Sequence, residues 1–444
     1  MKKVIIFIFV VLLAVGGYFG YQKFYDKGIP VLNVEDRHVS ISEYYIYGTT
    51  INMVGSVKDI DTRYSSVDLV LYNGKFRSIE IVPKKDINNL SFYITEEIND
   101  GYYIDDIPVG EYPMFLRFTY ENKDDDKNKT KNKEDKKTYK YYVLDNDTDY
   151  KTSTYYTTST NGNIIEINSD NDYGTMMFNV INNNEKEIYD VVIDPGHGGE
   201  DGGATVGNDS EKQLTMEVAS MVKDKIEESG YKVKLTREEN QFTEADYFEE
   251  YNVTGVDYTG RAVIPQEVHA KYLVSIHINS STGKYVNGIE VYAPDNINYD
   301  LAQLFVDNIT NDTGVGTSTN TTNRISPGIY VHNFSEGEIA SAKERYDRLN
   351  YKHYELLSTK SNYLYMIREP GGYLLGAYVD DSNPDTVGIN PYYNSNVGVE
   401  AYLIELGYLT NNDDLDKIKN KQDEYATGIA DSLISELKRE VSTK

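Results

Sequence analysis

The pattern of hydrophobic and polar positions changes once along the chain, near residue 187, and this change predicts two folded regions. Between residues 29 and 187, short runs rich in Val, Ile, Tyr, Phe and Thr are separated by Gly, Asn, Asp and Pro. Such spacing is typical of an all-β domain, and we expect a sandwich-like β-rich domain here. Within it, residues 121–137 are nearly all Lys, Asp, Glu and Asn. That composition cannot bury apolar surface and therefore predicts a solvated loop.

From residue 188 to residue 444, strand-like apolar runs alternate with segments of helical period. This alternation predicts an α/β domain in which a mixed sheet is flanked by helices. Ser210 and Gln213 form a capping-box pattern that places Glu211 in the first turn of a helix, and Gly230 is suited to end that helix. Strands are expected at residues 190–194, 231–236, 272–277, 288–293 and 400–406, and further helices at residues 300–311 and 423–441.

The first 28 residues predict a membrane anchor. Lys2 and Lys3 precede an uncharged apolar run over residues 4–21, which approaches the ~20 residues that a helix needs to cross a bilayer. No Ala-x-Ala signal follows the run, and the chain has no cysteine for lipid attachment. We therefore expect an uncleaved, single-pass signal anchor with the rest of the chain outside the cytoplasm, and a secreted protein is the alternative.

Charge and cysteine content narrow the partners and the chemistry. The 44 Lys and Arg residues face 71 Asp and Glu residues, a net charge of −27 that repels phosphate backbones, so no nucleic acid partner is expected. Without cysteine, disulfides, thiolate metal sites and cysteine nucleophiles are excluded. Any metal ion must be held by His, Asp or Glu.

Three ionisable residues end predicted strands of the α/β domain. His197 follows the first strand in a glycine-rich turn, His277 ends a later apolar strand, and Glu405 lies in the last one. Ligands of α/β sheets gather beyond the carboxyl ends of the strands, so these side chains are expected to converge there. A single strand-end histidine is more often satisfied by a backbone hydrogen bond. Two of them in one domain of a chain with six histidines favour a metal site.

A series of short blocks covers nearly all of residues 189–440 in order. These blocks are Ile193-Asp-Pro-Gly-His-Gly-Gly, Gly202-Gly-Ala, Glu211-Lys, Leu235-Thr-Arg, Arg261, Ser275-Ile-His-Ile-Asn, Gly288-Ile-Glu and Leu403-Ile-Glu-Leu-Gly-Tyr-Leu-Thr-Asn. In order and spacing they resemble the zinc-dependent N-acetylmuramoyl-L-alanine amidases that remodel bacterial cell walls. The chain departs from that pattern at Pro265-Gln266, where the family usually has Ala-Asn, and at Lys271, where it usually has Asp.

The resemblance implies a zinc ion bound by His197, Glu211 and His277, with Glu405 as the catalytic acid/base. Two neutral imidazoles and one carboxylate leave a tetrahedral position for a water, whose pKa zinc lowers to ~7. Glu405 then takes a proton from that water during attack on the amide and returns it to the leaving nitrogen. Glu217, further along the same helix, is the alternative third ligand, and Glu290 is expected to be a structural acid.

The implied activity is hydrolysis of the amide bond between N-acetylmuramic acid and L-alanine in peptidoglycan, by a protein anchored in the cell membrane and facing the cell wall. Two alternatives stay open. One is a zinc amidohydrolase that acts on another peptide, and the other is a catalytically inactive amidase-fold protein that binds the cell wall or has a regulatory role. Residues 332–399 exceed what the family needs, and we expect them to border the cleft. The β-rich domain could bind the wall, dock a protein partner or act as a spacer.

Overall fold

The computed structural model describes residues 34–121, 137–146, 154–157, 162–168, 174–184, 187–198, 202–238, 264–294, 297–331, 354–356, 378–380, 395–397 and 399–439. The predicted anchor at residues 4–21 and the charged loop at residues 122–136 lie outside these ranges. Within the described ranges, no helix combines the length and the apolar character that crossing a bilayer requires.

In its described residues, the first region consists of strands with one short 3-10 turn at Ile98–Asp100. They are β1 (Val34–Tyr47), β2 (Thr50–Val57), β3 (Ser66–Tyr72), β4 (Phe76–Glu80), β5 (Val82–Asp86), β6 (Asn89–Tyr93), β7 (Tyr102–Tyr103), β8 (Gly110–Glu121), β9 (Lys137–Asn146), β10 (Thr154–Thr157), β11 (Ile164–Asn168) and β12 (Met177–Ile181). Their pairing order is β10-β11-β12-β8-β9-β1-β2-β6-β5, and β3, β4 and β7 branch from this path. The long strand β8 pairs with β3, β9 and β12 along different stretches. The predicted β-rich region is thus made of strands, and β8 connects the group β10-β11-β12 with the other strands in one branched pairing network.

The core of this region consists of side chains that suit strands. Ile41, Met53, Leu69, Phe92 and Leu116 come from five different strands and are almost completely buried together. Aliphatic and aromatic residues of this kind pack well on a pleated surface, which explains why the Val, Ile, Tyr and Phe runs of the sequence become strands.

A mixed sheet with flanking helices forms the second region, as predicted. The strands in this part of the chain are β13 (Val191–Pro195), β14 (Thr205–Val206), β15 (Asp209–Ser210), β16 (Val233–Leu235), β17 (Tyr272–Asn279), β18 (Glu290–Tyr292), β19 (Arg324–Ser326), β20 (Ile329–Tyr330), β21 (Tyr354–Leu356), β22 (Tyr378–Asp380), β23 (Ser395–Val397) and β24 (Glu400–Tyr408), seven of which form the mixed sheet. The helices are α1 (Glu211–Glu228), α2 (Ile264–Glu267), α3 (Asp300–Thr313), α4 (Asn412–Asn420) and α5 (Gln422–Leu437). The sheet order is β16-β13-β17-β24-β18-β20-β19. Strands β16, β13, β17 and β24 are parallel to one another, whereas β18 runs antiparallel to β24.

Helix α1 begins at Glu211, as the capping pattern predicts, and ends just before Gly230, whose φ is 91°. The side chain of Ser210 makes no capping hydrogen bond, so the boundary was predicted correctly but its expected cause was wrong. The predicted helix at residues 423–441 corresponds to α5. Helix α4, which precedes it, was not predicted. The side chain of Asn411 starts α4 by accepting hydrogen bonds from the backbone N–H groups of Asp413 and Asp414.

The two regions meet at the amino ends of β17 and β24. Nζ of Lys271 is completely buried and lies 2.8 and 2.9 Å from the two carboxylate oxygens of Asp105. The Asn99 side chain donates to Oε1 of Glu400 at 3.2 Å and bonds the backbone of Asn298. Because the contact is at the amino ends of the strands, it lies away from the edge where the site is expected.

Only short pieces of the long insertion are described. Strands β21 and β22 pair with each other, and β23 pairs in parallel with β1 of the first region. Residues 395–397 therefore join the sheet of the β-rich region, contrary to the expectation that the whole insertion borders the cleft. The remainder of residues 332–398 lies outside the described ranges.

Candidate metal centre and adjoining cleft

Three side chains come together where β13 and β17 end and α1 begins. Oε1 of Glu211 lies 3.1 Å from Nε2 of His197 and 3.2 Å from Nδ1 of His277. One donor atom from each residue lies within 4.8 Å of the others. Glu211 and His277 are buried, and His197 is half-buried. The structure thus brings together the three residues that the sequence singles out as metal ligands.

Two glycines allow the imidazoles to approach so closely. A Cβ atom on Gly196 would lie 2.4 to 2.6 Å from the ring atoms of His277, and one on Gly203 would lie 2.6 Å from the His197 ring. His197 itself has a φ of 61°, which an L-residue adopts at a cost, so the surrounding turn must hold it there. The glycine-rich sequence is therefore required by the packing of the two histidines.

Glu211 is fixed by hydrogen bonds on both carboxylate oxygens. The backbone N–H of Ala204 donates to Oε2 at 2.9 Å, and that of Ile278 donates to Oε1 at 2.8 Å. Burial raises the pKa of Glu211, but hydrogen bonds from His197 and His277 outweigh it, and the net pKa lies well below its usual range. Burial lowers the pKa of His277. An ionised carboxylate and a neutral imidazole are the forms that bind a metal ion.

The donor set suits zinc. Two imidazoles and one carboxylate form a common catalytic zinc site with room for a further ligand. Nε2 of His277 is buried and has no hydrogen-bond partner among the residues that the structure describes. Buried polar atoms are nearly always satisfied, and this atom belongs to the imidazole whose other nitrogen, Nδ1, faces Glu211, so the arrangement favours a bound cation. The rival ligand Glu217 lies away from this cluster and accepts hydrogen bonds from Gln213 and Gln422 instead.

A buried arginine supports the turn that carries His197. Arg237 donates to the backbone carbonyls of Pro195 at 2.9 Å, Gly196 at 3.1 Å and Lys212 at 2.8 Å. The hydroxyl of Thr215 donates to the same Gly196 carbonyl at 3.0 Å. Sequence reasoning included Arg237 in a matching block but gave it no role. Its position shows that it ties the His197 turn to the first turn of α1.

Glu405 lies beside the cluster on the neighbouring strand. In the parallel pairing of β17 and β24, His277 is the direct partner of Glu405. Directly paired residues project from the same face of a sheet, and adjacent strands are ~5 Å apart. Glu405 also lines a cleft of about 420 Å³, whose other lining residues are Asn279, Ser280, Ser281, Val286, Tyr292, Thr319, Asn320 and Tyr408. A carboxylate at the cleft wall next to a metal site is placed to exchange protons with a bound substrate.

Comparison with known proteins agrees with this geometry. Residues 191–336 match the family model described as N-acetylmuramoyl-L-alanine amidase. Over 103 residues the chain is 33% identical to the germination-specific N-acetylmuramoyl-L-alanine amidase of Bacillus subtilis, a match that covers 23% of this chain and 44% of that protein. Over 116 residues it is 33% identical to the probable cell wall amidase LytH of Staphylococcus saprophyticus, covering 25% of this chain and 34% of that protein.

Among solved structures, the N-acetylmuramoyl-L-alanine amidase AmiC2 of Nostoc punctiforme aligns with a TM-score of 0.35 and 24% identity, covering 57% of this chain and 100% of that one. The matches to the Bacillus subtilis and Staphylococcus saprophyticus amidases each span less than half the length of those proteins.

Proposed function

We propose that the protein, whose residues 191–336 match the family model described as N-acetylmuramoyl-L-alanine amidase, is a zinc-dependent peptidoglycan hydrolase. Its substrate bond is the amide that joins the lactyl group of N-acetylmuramic acid to L-alanine of the stem peptide. The observation that carries the proposal is the cluster of His197, Glu211 and His277 directly beside Glu405. This set of side chains supplies both a zinc site and a separate acid/base.

Each of the four residues has a distinct task in this reaction. His197, Glu211 and His277 would hold zinc, which when bound would supply a Lewis acid for the amide carbonyl and would lower the pKa of water at the site to ~7. Glu405 takes a proton from the attacking water as its oxygen bonds to the lactyl carbonyl carbon. Glu405 then returns that proton to the L-alanine nitrogen while the carbon–nitrogen bond breaks. The products are a lactyl carboxylic acid and a free L-alanine amine.

Product analysis on the full-length protein tests the reaction. Purified peptidoglycan is incubated with zinc-loaded protein and with protein stripped by a chelator, and newly formed amino termini are labelled and identified. We expect new L-alanine amines with zinc and none after chelation. New amines from other stem-peptide residues would instead indicate a different peptide amidohydrolase. Release of L-alanine amines that is unaffected by complete metal removal would contradict the zinc mechanism.

For the location of the enzyme, we propose an anchor in the cell membrane formed by residues 1–28, with the catalytic domain outside and facing the cell wall. The uncharged run at residues 4–21 supports an anchor, and a peptidoglycan substrate requires an extracytoplasmic active site. Fractionation tests this proposal. The full chain is expected in the membrane fraction, and removal of residues 1–28 behind a cleavable secretion signal is expected to release it. A full chain found only in the culture medium would favour the secreted alternative.

A further inference from the structure

Glu290 is the direct cross-strand neighbour of Glu405. In the antiparallel pairing of β18 and β24, the two glutamates face each other. His277, Glu405 and Glu290 thus form one row across three adjacent strands. Glu405 lines the cleft, whereas Glu290 is completely buried behind it. Two carboxylates in one row therefore occupy very different environments.

The carboxylate of Glu290 is saturated with hydrogen bonds. Its Oε1 accepts from the hydroxyls of Ser318 at 2.7 Å and Tyr408 at 2.5 Å. Its Oε2 accepts from the hydroxyl of Tyr292 at 2.7 Å and from Nδ2 of Asn279 at 3.3 Å. An ionised carboxylate has about four lone-pair sites, so four donors use its capacity. Glu290 is therefore suited to hold neighbours in place and not to act on a substrate.

Three of these four donors, Asn279, Tyr292 and Tyr408, line the cleft together with Glu405. A tyrosine hydroxyl has a single proton, and both tyrosines donate theirs to Glu290. Their oxygens can then offer only lone pairs to a ligand. The amide oxygen of Asn279 accepts from the backbone N–H of Ser280 at 2.8 Å, which fixes the orientation of that side chain as well. The wall is thereby set to accept hydrogen bonds from N–H or O–H groups.

A β-bulge brings Tyr408 to this wall. The pairing of β17 with β24 shifts by one residue between His277 and Asn279, so that Asn279 faces Tyr408. Without the shift Tyr408 would project from the opposite face to Glu405, because side chains alternate along a strand. Gly407 has a φ of 152° at the bulge, and Asp414 secures it by accepting from the backbone N–H of Tyr408 at 3.0 Å and of Gly288 at 2.7 Å.

We propose that Glu290 is a positioning residue for substrate recognition, which holds the Tyr408 and Tyr292 hydroxyls as hydrogen-bond acceptors for amide N–H or sugar O–H groups of peptidoglycan. This proposal rests on the proposed amidase function. It assigns Glu290 a role that acts through its neighbours on substrate affinity, beyond that of a structural acid. The chemical step stays with Glu405 and the metal centre.

Two substitutions test the proposal separately. Glu290→Gln keeps the size of the side chain but replaces one accepting oxygen by an NH₂ donor, so at least one tyrosine hydroxyl must turn its proton away. Tyr408→Phe removes only the hydroxyl that Glu290 holds. Glu400→Gln is a matched control, because Glu400 is a buried glutamate on β24, the strand that carries Tyr408, and lies at the end of that strand away from the cleft. Zinc content and Tm are measured for every variant.

Steady-state kinetics on a soluble disaccharide–peptide fragment of peptidoglycan gives the readout. Loss of an interaction that binds ground state and transition state equally raises KM and leaves kcat unchanged, so we expect KM about tenfold higher for Glu290→Gln and Tyr408→Phe, with kcat within about threefold. The rise in KM of the double variant is expected to be smaller than the product of the two single effects, since Glu290 acts on the cleft partly through the Tyr408 hydroxyl. Glu400→Gln is expected to keep the wild-type KM.

A wild-type KM in both Glu290→Gln and Tyr408→Phe would overturn the proposal, even if Tm falls, because Glu290 would then be structural only. If Glu290→Gln does not fold, Tyr408→Phe decides alone: a raised KM supports the proposal and an unchanged KM overturns it. A wild-type enzyme that releases no L-alanine amine from the fragment would refute the amidase function itself, which is a distinct result.

Discussion

The amino and carboxyl ends of the parallel strands of the α/β sheet each have a buried glutamate beside them, Glu400 at the start of β24 and Glu211 at the start of α1, yet the pKa values of the two glutamates shift in opposite directions. At the amino end, Glu400 accepts hydrogen bonds from the side chains of Asn99 and Tyr402, and burial together with the nearby Glu436 raises its pKa to about 8. At the carboxyl end, Glu211 is buried too, but backbone N–H groups and two histidines surround it, and its pKa is lowered.

The comparison shows that burial does not by itself decide the charge of a glutamate. The number and charge of the donors around the carboxylate decide whether the desolvation cost is offset. One end of the sheet therefore keeps an acid in its neutral form at the junction of two regions. The other end keeps an ionised acid where a cation would bind. The predictions that follow separate these two roles, beginning with the largest expected effect.

Glu405→Gln is expected to abolish turnover while the protein stays folded. Removing a general acid/base costs 10²–10⁴-fold, and we expect a loss of kcat of about 10³-fold. Zinc content is expected to remain at the wild-type level, since the three proposed ligands are untouched. His197→Ala is the companion variant and is expected to lose both zinc and activity. Activity within tenfold of wild type in Glu405→Gln, measured by L-alanine amine release, would remove this residue from the mechanism.

At the amino end, stability is expected to fall as the pH rises. Glu400 has a pKa of about 8 in the folded protein against an ordinary value of 4.5, so the folded state binds the proton more tightly. The resulting stabilisation is fully present below pH 4.5 and is lost as the pH rises through 8, on the order of 5 kcal/mol. Glu436, whose pKa burial raises to about 7, acts in the same direction.

Thermal unfolding of the wild type and Glu400→Gln between pH 5 and pH 8.5 measures this effect. The wild-type Tm is expected to fall more steeply with pH than that of Glu400→Gln, because glutamine mimics the protonated acid at every pH. The two curves are expected to lie close together at pH 5 and to separate at pH 8.5, with the variant more stable. Parallel curves over the whole range would show that the pKa of Glu400 is not raised in the folded protein.

The sequence predicted the carboxyl end of the sheet much better than the amino end. The candidate site could be located because His197, His277 and Glu405 each follow a recognisable apolar run, and the capping pattern placed Glu211 at the first turn of α1. Each of those signals is local. A local pattern is sufficient when the topology of a parallel sheet brings strand ends to one edge.

At the amino end the contacts join residues that are far apart in the sequence. Lys271 departs from the resembling family, and the sequence offered no reason for it. In the structure its partner is Asp105 of the β-rich region, 166 positions away. Tyr408 was missed for a related reason, since its direction depends on a one-residue bulge that strand periodicity cannot reveal. The sequence pattern thus did not determine ion pairs between distant residues or the register of strand pairing.

Lys271→Met is expected to weaken the junction between the two regions. Removing one partner of a buried ion pair leaves the other charge uncompensated and typically costs 3–5 kcal/mol, so we expect a loss of about 3 kcal/mol in the free energy of unfolding. Lys234→Met on strand β16 of the same sheet is the control, because Lys234 is exposed. The double variant Asp105→Asn with Lys271→Met is expected to be more stable than the sum of the single effects implies. Additive losses in denaturant unfolding would show that the two charges are not coupled.

Asn411→Ala is expected to give the smallest effect and tests how independent the carboxyl end is. Asn411 follows β24, and its side-chain oxygen accepts from the N–H groups of Asp413 at 3.1 Å and Asp414 at 3.2 Å. Loss of such a cap costs about 1 kcal/mol, which we expect in the free energy of unfolding. Asn411→Asp keeps the capping oxygen and gives up only the hydrogen bond to the Lys284 carbonyl, so it is expected to lose less. Because Asp414 secures the Tyr408 bulge, a KM that rises in Asn411→Ala but not in Asn411→Asp would show that the start of α4 positions the cleft wall as well as stabilising the fold.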